Sequence, residues 1–519
     1  MKPIRSLLFA GLALAVAAPG VHAQAPMADS AQANWHLLDP AADRVPGIGA
    51  ERAYRELLAG LQPRDTVVVA IIDSGVEIDH PDLAGVVWTN ADEVPGNGRD
   101  DDNNGYVDDV HGWDFLGSRD GRDVSHDTYE VTRLFAICRA GATEAGGTPC
   151  AEIRADFEER QDELREQAAF MEQVAGLIAA VRGALQGREI TVESLRTLQS
   201  GDPAVMAARN QIARFLGAGF TIKDIEDQIK SIQDQARYGY NPDFDPRPLV
   251  GDNYADPAER GYGNAEVEGP DASHGTHVAG IVAAMRNGVG VDGVAGAVRI
   301  MTLRAVPDGD ERDKDVANAI RYAVDNGARV VNMSFGKSHS PQKSVVDEAV
   351  RYAESKGVLL VHAAGNDGAD LNDEGNFPNQ EYAGGGRAGN WIEVGASGWS
   401  APGELAAEFS NYGRGKVDVF APGVSILSTL NDQTYGRNDG TSMAAPVVSG
   451  VAATLLSYFP ELTAAQVREI ILASATRYTD QEVRIPGGRE RVPFGQLSDT
   501  GGVVNLYNAV QMAQQRVRR

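Results

Sequence analysis

From Thr66 onward the chain sets short, almost continuous apolar runs against stretches whose apolar residues recur every three or four positions. The runs occupy 67–72, 300–305, 330–335, 358–364, 392–396 and 417–421. A strand that is apolar on both faces has to be covered on both, as happens in a parallel sheet held between two helical layers. Segments 316–324 and 345–353 carry the one-sided periodicity of such covering helices. The pattern predicts an α/β fold with a doubly wound, mostly parallel sheet and helices on both faces. Ligands collect there at the carboxyl ends of the strands, so polar residues that close an apolar run become candidates for function.

The alternation stops between about Gly117 and Tyr254. Ile153, Phe157, Leu164, Ala168, Met171, Val174, Ile178, Val181 and Leu185 follow spacings of three, four or seven, which describes one long amphipathic helix closing at Gly187. Asp202 before Pro203 starts another helix, and Thr221 with Asp224 forms the capping box of a third. An all-helical insertion at 117–251 thus divides the α/β domain into 24–116 and 252–519. It would serve as a lid, a folding aid, or a surface for a partner or for self-contact.

At the start, Lys2 and Arg5 precede an apolar run from Leu7 to Ala18 and the small-residue ending Val21, His22, Ala23. This order predicts a signal peptide over 1–23 and an exported, periplasmic or secreted protein. No second apolar stretch of spanning length follows, so no membrane span is expected. The two cysteines, Cys138 and Cys150, are too few for a disulfide scaffold. In an oxidising compartment they are expected to pair with each other, free buried thiols being the alternative. Acidic residues outnumber basic ones, 73 to 47, for a net charge of −26. Such a balance argues against nucleic acid as a partner, because sequence-independent binding there depends on Lys and Arg.

Three segments carry chemistry. Asp73 ends an apolar run in AIIDSGVEIDHPDL, His274 lies in SHGTHVAG before an apolar helix, and Ser442 lies in GTSMAAP at the start of another. Singly these residues would read as a turn aspartate, a structural histidine and a helix cap. Together they supply a nucleophile, a base and an anion to orient the base, in the order Asp, His, Ser. The three strings resemble those of the subtilisin-like serine peptidases, the subtilases, over about Asn34 to Phe115 and Asp252 to Val510. The resemblance implies a subtilisin-like fold and a serine endopeptidase that acts on proteins or peptides through an acyl-enzyme intermediate. It makes Asp73 the orienting carboxylate, His274 the general base and Ser442 the nucleophile. Asn366 in AAGN becomes the oxyanion donor, Gly365 beside it becomes a substrate-binding residue, and Ser334, Phe335 and Gly336 become one wall of the pocket for the residue before the cut bond. That pocket is expected to take sizeable uncharged side chains.

No cofactor is needed for this chemistry, but the stretch GNGRDDDNNGYVDD points to structural calcium. Asp100, Asp102 and Asn104 alternate before the turn residue Gly105, and Asp108 follows. His111 replaces the glutamate that an EF-hand requires, and an Asx-rich surface turn is the alternative. The run PDGDERDKD at 307–315 is expected either to be solvated or to form an acidic rim favouring basic residues upstream of the cut. Two other functions compete. A non-catalytic scaffold would use the helical arm as its working surface, yet the triad residues are all present. An α/β-hydrolase esterase would need a GxSxG elbow and the order Ser, acid, His.

Overall fold

The computed structural model describes residues 33–400 and 402–518. The expected signal peptide at 1–23 lies outside them. The described chain forms two compact units, one of residues 131–245 and one of the remainder.

The larger unit is built on a nine-stranded sheet. Its strands are β1 (Val67–Asp73), β2 (Gly112–Asp114), β3 (Val298–Arg304), β4 (Val330–Met333), β5 (Leu359–Ala363), β6 (Trp391–Ser397), β7 (Val419–Pro422), β8 (Thr476–Arg477) and β9 (Gly502–Val503). Their order across the sheet is 8-9-7-6-5-4-1-3-2, and every pairing is parallel except β8 with β9. The six apolar runs all became strands. The two-residue strands β8 and β9 and the three-residue edge strand β2 were not foreseen, because a period of two cannot be read over so few positions.

Strand β1 shows why apolar residues fill both faces. Val67, Val69 and Ile71 pack into a core with helices Ser273–Ala283, Thr441–Tyr458, Ala464–Ser474 and Leu506–Val517. Ala70 and Ile72 point the other way, into a core with helices Asp313–Asp325 and Lys343–Ser355. Thr441–Tyr458 is the one described helix long and apolar enough to cross a membrane, and 89% of it is buried in the protein. Strand β1 sits between β4 and β3, so the chain crosses over it on passing from β3 to β4. Here the winding reverses direction, and the crevice at the strand ends opens.

The smaller unit is helical. Helix Cys150–Ala184 packs on Pro203–Gly217 and Ile222–Asp234 through residues such as Val174, Ile178, Ile212, Phe215 and Ile225. The expected caps form: Asp202 accepts from the Ala204 N–H at 2.8 Å, and the Thr221 and Asp224 side chains each accept from the other's backbone N–H, at 3.1 and 2.8 Å. Cys138 and Cys150 are joined as a disulfide.

The helical unit is narrower than the expected 117–251. Residues 117–130 and 246–251 are tied to the sheet unit by polar contacts that hydropathy does not report. Asn264 Nδ2 donates to the Ser118 carbonyl at 3.0 Å, Arg312 grips Asp127 at 2.7 and 3.0 Å, and Arg247 holds Asp315 at 2.5 and 2.9 Å.

Candidate functional site

Strand β1 delivers Asp73 to the crevice and buries it to 2% exposure. Asp73 Oδ1 accepts from the Ser74 N–H at 2.8 Å and from His274 Nδ1 at 2.7 Å. Two glycines make this approach possible. A Cβ on Gly275 would meet the Gly75 carbonyl at 2.0 Å, and a Cβ on Gly75, at φ +125°, would meet the Glu268 carbonyl at the same distance. The His274 side chain keeps 40% of its surface open to the crevice. Desolvation of the ring lowers its pKa, but the charge and hydrogen bond of Asp73, with help from Asp271, outweigh this and leave it above 6.5.

His277, one turn along the same helix, is different. It is fully buried and donates to the carbonyls of Ile426 and Gly436 at 3.0 and 3.2 Å. Burial drives its pKa down to about 4, so it is neutral. It clamps the hairpin formed by Ile426–Leu430 and Thr434–Asn438 onto the His274 helix, together with Ser428 and Thr429, which donate to the His277 and Thr276 carbonyls.

Ser442 occupies the first turn of helix Thr441–Tyr458, where N–H groups have no partner inside the helix and the positive dipole end faces the crevice. Its hydroxyl donates to the Ser334 carbonyl at 3.0 Å. Thr441, fully buried, fixes the amide of Asn366. Both its N–H, at 2.8 Å, and its hydroxyl, at 2.9 Å, donate to Asn366 Oδ1, and the hydroxyl accepts from the Gly365 N–H at 3.1 Å. With Oδ1 engaged twice, the Asn366 NH2 is left as the outward group of an exposed side chain.

Ser334, Phe335 and Gly336 follow β4, and Gly365 follows β5. The Phe335 ring meets His362 edge-on, with centroids 6.2 Å apart. Between these two segments stands Asn376, which sequence reasoning missed. A Cβ on Gly336 would lie 2.3 Å from Asn376 Oδ1, and Asn376 Nδ2 donates to the Ala363 carbonyl at 3.2 Å. Asn411, also missed, staples the loop after Asn366 by accepting from the Asp367 and Ala369 N–H groups, both at 3.0 Å. Neither residue belongs to a motif, and no local signal marks them.

The charged run 307–315 is neither a solvated face nor an acidic rim. Glu311, Arg312, Asp313, Lys314 and Asp315 are all buried. Asp313 pairs with Lys337 at 2.9 Å, Lys314 with Asp252 at 2.6 Å and Glu259 at 2.8 Å, and Asp315 with Arg247. Burial lifts the Glu311 carboxyl to about 8 in spite of Lys337, so this group adds little charge near neutrality. Of the run's acidic residues only Asp308 is exposed, with 63% of its side chain open.

The acidic loop before β2 brings together Asp100, Asp102 and a residue outside the expected pattern, Glu93. One oxygen from each lies within 4.8 Å of the others. Asn104 Oδ1 instead accepts from the Tyr106 N–H at 2.8 Å, and Asp108 caps the turn by accepting from Asn97 and Gly98 at 3.1 and 2.7 Å.

The chain matches the sequence profile described as the Subtilase family over residues 171–489. That span includes His274, Asn366 and Ser442, while Asp73 precedes it. The chain is 40% identical over 208 residues to subtilisin NAT of Bacillus subtilis subsp. natto, covering 40% of this chain and 51% of that protein. It is likewise 40% identical over 208 residues to a subtilisin of Bacillus pumilus, covering 40% and 70%. It thus spans about half the length of the first curated relatives it matches. A protease structure from Pseudoalteromonas arctica PAMC 21717 aligns with 48% of this chain and 78% of its own at 29% identity and a TM-score of 0.39. With the family profile matched over more than half its length, the chain belongs to the subtilase family.

Proposed function

We propose that the protein is a serine endopeptidase that hydrolyses peptide bonds of proteins or peptides. The observation that carries this reading is the 2.7 Å bond between buried Asp73 and half-open His274 at the end of β1, beside β4, whose following residue Ser334 holds the Ser442 hydroxyl, with the Asn366 amide oriented by Thr441 next to Ser442. Asp73 fixes the tautomer in which His274 Nδ1 carries the proton and Nε2 is free to accept one. The Ser442 hydroxyl leaves the Ser334 carbonyl, gives its proton to Nε2 and attacks the scissile carbonyl. The oxyanion is held by the Asn366 NH2 and the Ser442 N–H, at the positive end of the helix. His274 then passes its proton to the leaving amine, and a water, deprotonated by the same ring, frees the acyl group. Phe335, Gly336 and Gly365 line the pocket for the residue before the cut, with Asn376 at its floor. Replacing Ser442 by Ala abolishes casein hydrolysis if this is right. A folded Ser442→Ala protein as active as its parent contradicts it.

Calcium fits the acidic loop as a structural ion. Glu93 is only 6% exposed, and its Oε2 has no hydrogen-bond partner. A buried carboxylate oxygen beside two other carboxylates is costly unless a cation neutralises it. Glu93, Asp100 and Asp102 would hold the ion, and its contribution is to the stability of the loop. Export by way of residues 1–23, to the periplasm or the medium, agrees with the Cys138–Cys150 disulfide. The mature chain is then expected to begin at Gln24.

A further inference from the structure

We infer that Asn332, Ser334 and Ser449 form a buried relay that positions the nucleophile, and that the proline of the Ser442 segment makes the relay necessary. In a helix the carbonyl of Ser442 accepts from the N–H four residues on. That residue is Pro446, which lies inside the helix and has no N–H to offer. The carbonyl therefore lacks its normal donor in the turn that carries the reacting hydroxyl and the oxyanion N–H.

Ser334 fills the gap. Its Oγ donates to the Ser442 carbonyl at 2.9 Å. The direction of that bond is fixed from behind, since Asn332 Nδ2 donates to Ser334 Oγ at 2.9 Å and leaves the hydroxyl proton free for Ser442. The Asn332 amide is held in turn by Ser449, whose hydroxyl donates to Asn332 Oδ1 at 2.8 Å. Asn332 and Ser449 are fully buried, and Ser334 is 3% exposed, so no water competes for these bonds. Ser449 lies two turns beyond Ser442 on the same helix face. The end of β4 thus grips the helix at both points and sets its position along the strand. The Ser442 hydroxyl must move to His274 during attack, whereas the Ser334 side-chain bond persists through the reaction. These three side chains are positioning residues, because they act through Ser442 and do not touch the reacting atoms.

This inference rests on the reading of Ser442 as the nucleophile. Its test is a double-mutant cycle of Ser334→Ala with Pro446→Ala, read as kcat and KM on a peptide anilide, as the rate of fluorophosphonate labelling, and as urea unfolding. Ser334→Ala alone lowers kcat and the labelling rate about tenfold, with KM nearly unchanged, because a donor is lost from a buried carbonyl. In the Pro446→Ala background the restored N–H serves that carbonyl, and the same change costs less than about twofold. Ser449→Ala, which only releases the Asn332 amide, gives a smaller loss of kcat in the same direction. Equal losses from Ser334→Ala in the two backgrounds, or unaltered kcat in both Ser334→Ala and Ser449→Ala, overturn the relay. A parent that neither cleaves nor labels refutes the nucleophile assignment instead, and the coupling of Ser334 with Pro446 is then still measured by unfolding.

Discussion

Thr441→Val probes the machinery around Asn366 without touching a triad residue. Valine keeps the shape of threonine but removes a hydroxyl that donates to Asn366 Oδ1 and accepts from the Gly365 N–H. One neutral hydrogen bond is lost, and one backbone donor is left without its partner, for a combined loss of about 2 kcal/mol of stability. Asn366 keeps one anchor, the Thr441 N–H at 2.8 Å, so its amide loosens but is not released. A loosening of about 1.4 kcal/mol in the transition state lowers kcat about tenfold. Deleting an oxyanion donor outright costs ~10²- to 10³-fold, a figure whose reference case is itself a subtilisin, so Thr441→Val should fall well short of Asn366→Ala. The assay is steady-state cleavage of a peptide anilide alongside urea unfolding. KM should change little, and Thr441→Ser, which retains the hydroxyl, should behave as the parent. A Thr441→Val protein with parental kcat would show that the side-chain bond does not orient Asn366.

Three further outcomes follow from the same geometry. Because His274 must be neutral to accept a proton and its pKa is raised, kcat/KM should decline on the acid side with a midpoint above 6.5. Asp73→Asn should move any residual midpoint downward, and the stability that protonated His274 draws from Asp73, full below 6.5, should fade as pH rises through the raised pKa. His277 and the buried His36, in the short helix Trp35–Leu37, behave oppositely. Burial depresses them to about 4 and about 3, so the unfolded chain takes up protons first and stability should fall as pH drops from about 6.5 towards those values. Urea midpoints measured across that window should fall less steeply in His277→Gln than in the parent. Finally, calcium removal by a chelator should lower the melting temperature of the parent, and Glu93→Gln should reduce that difference. An unchanged melting temperature would count against the ion.

The parts of this molecule that were legible in the sequence share one property, in that the signal is local. Six strands announced themselves as apolar runs, and the long arm helix by a repeat that persists from Ile153 to Leu185. Asp73, His274 and Ser442 sit in strings whose glycines also proved local, as Gly75 and Gly275 face each other across the dyad. What stayed hidden depends on groups distant in the chain. The charges of 307–315 look like a surface because hydropathy cannot register Asp252, Glu259 or Arg247, which bury and neutralise them. Glu93 precedes the calcium-like spacing and joins it only when the loop folds back. Asn376 acquires its place against Gly336 and Ala363 from the meeting of two loops, and the role of Ser334 emerges only beside Pro446, more than 100 residues away.

Whether Ser442 is a nucleophile activated by His274 and Asp73 is decided by titrating the folded protein with a fluorophosphonate and locating the label by peptide mass spectrometry. One label per chain is expected, on Ser442, and it is lost in His274→Ala. No label on a folded, mature parent, or a label on another residue, contradicts it.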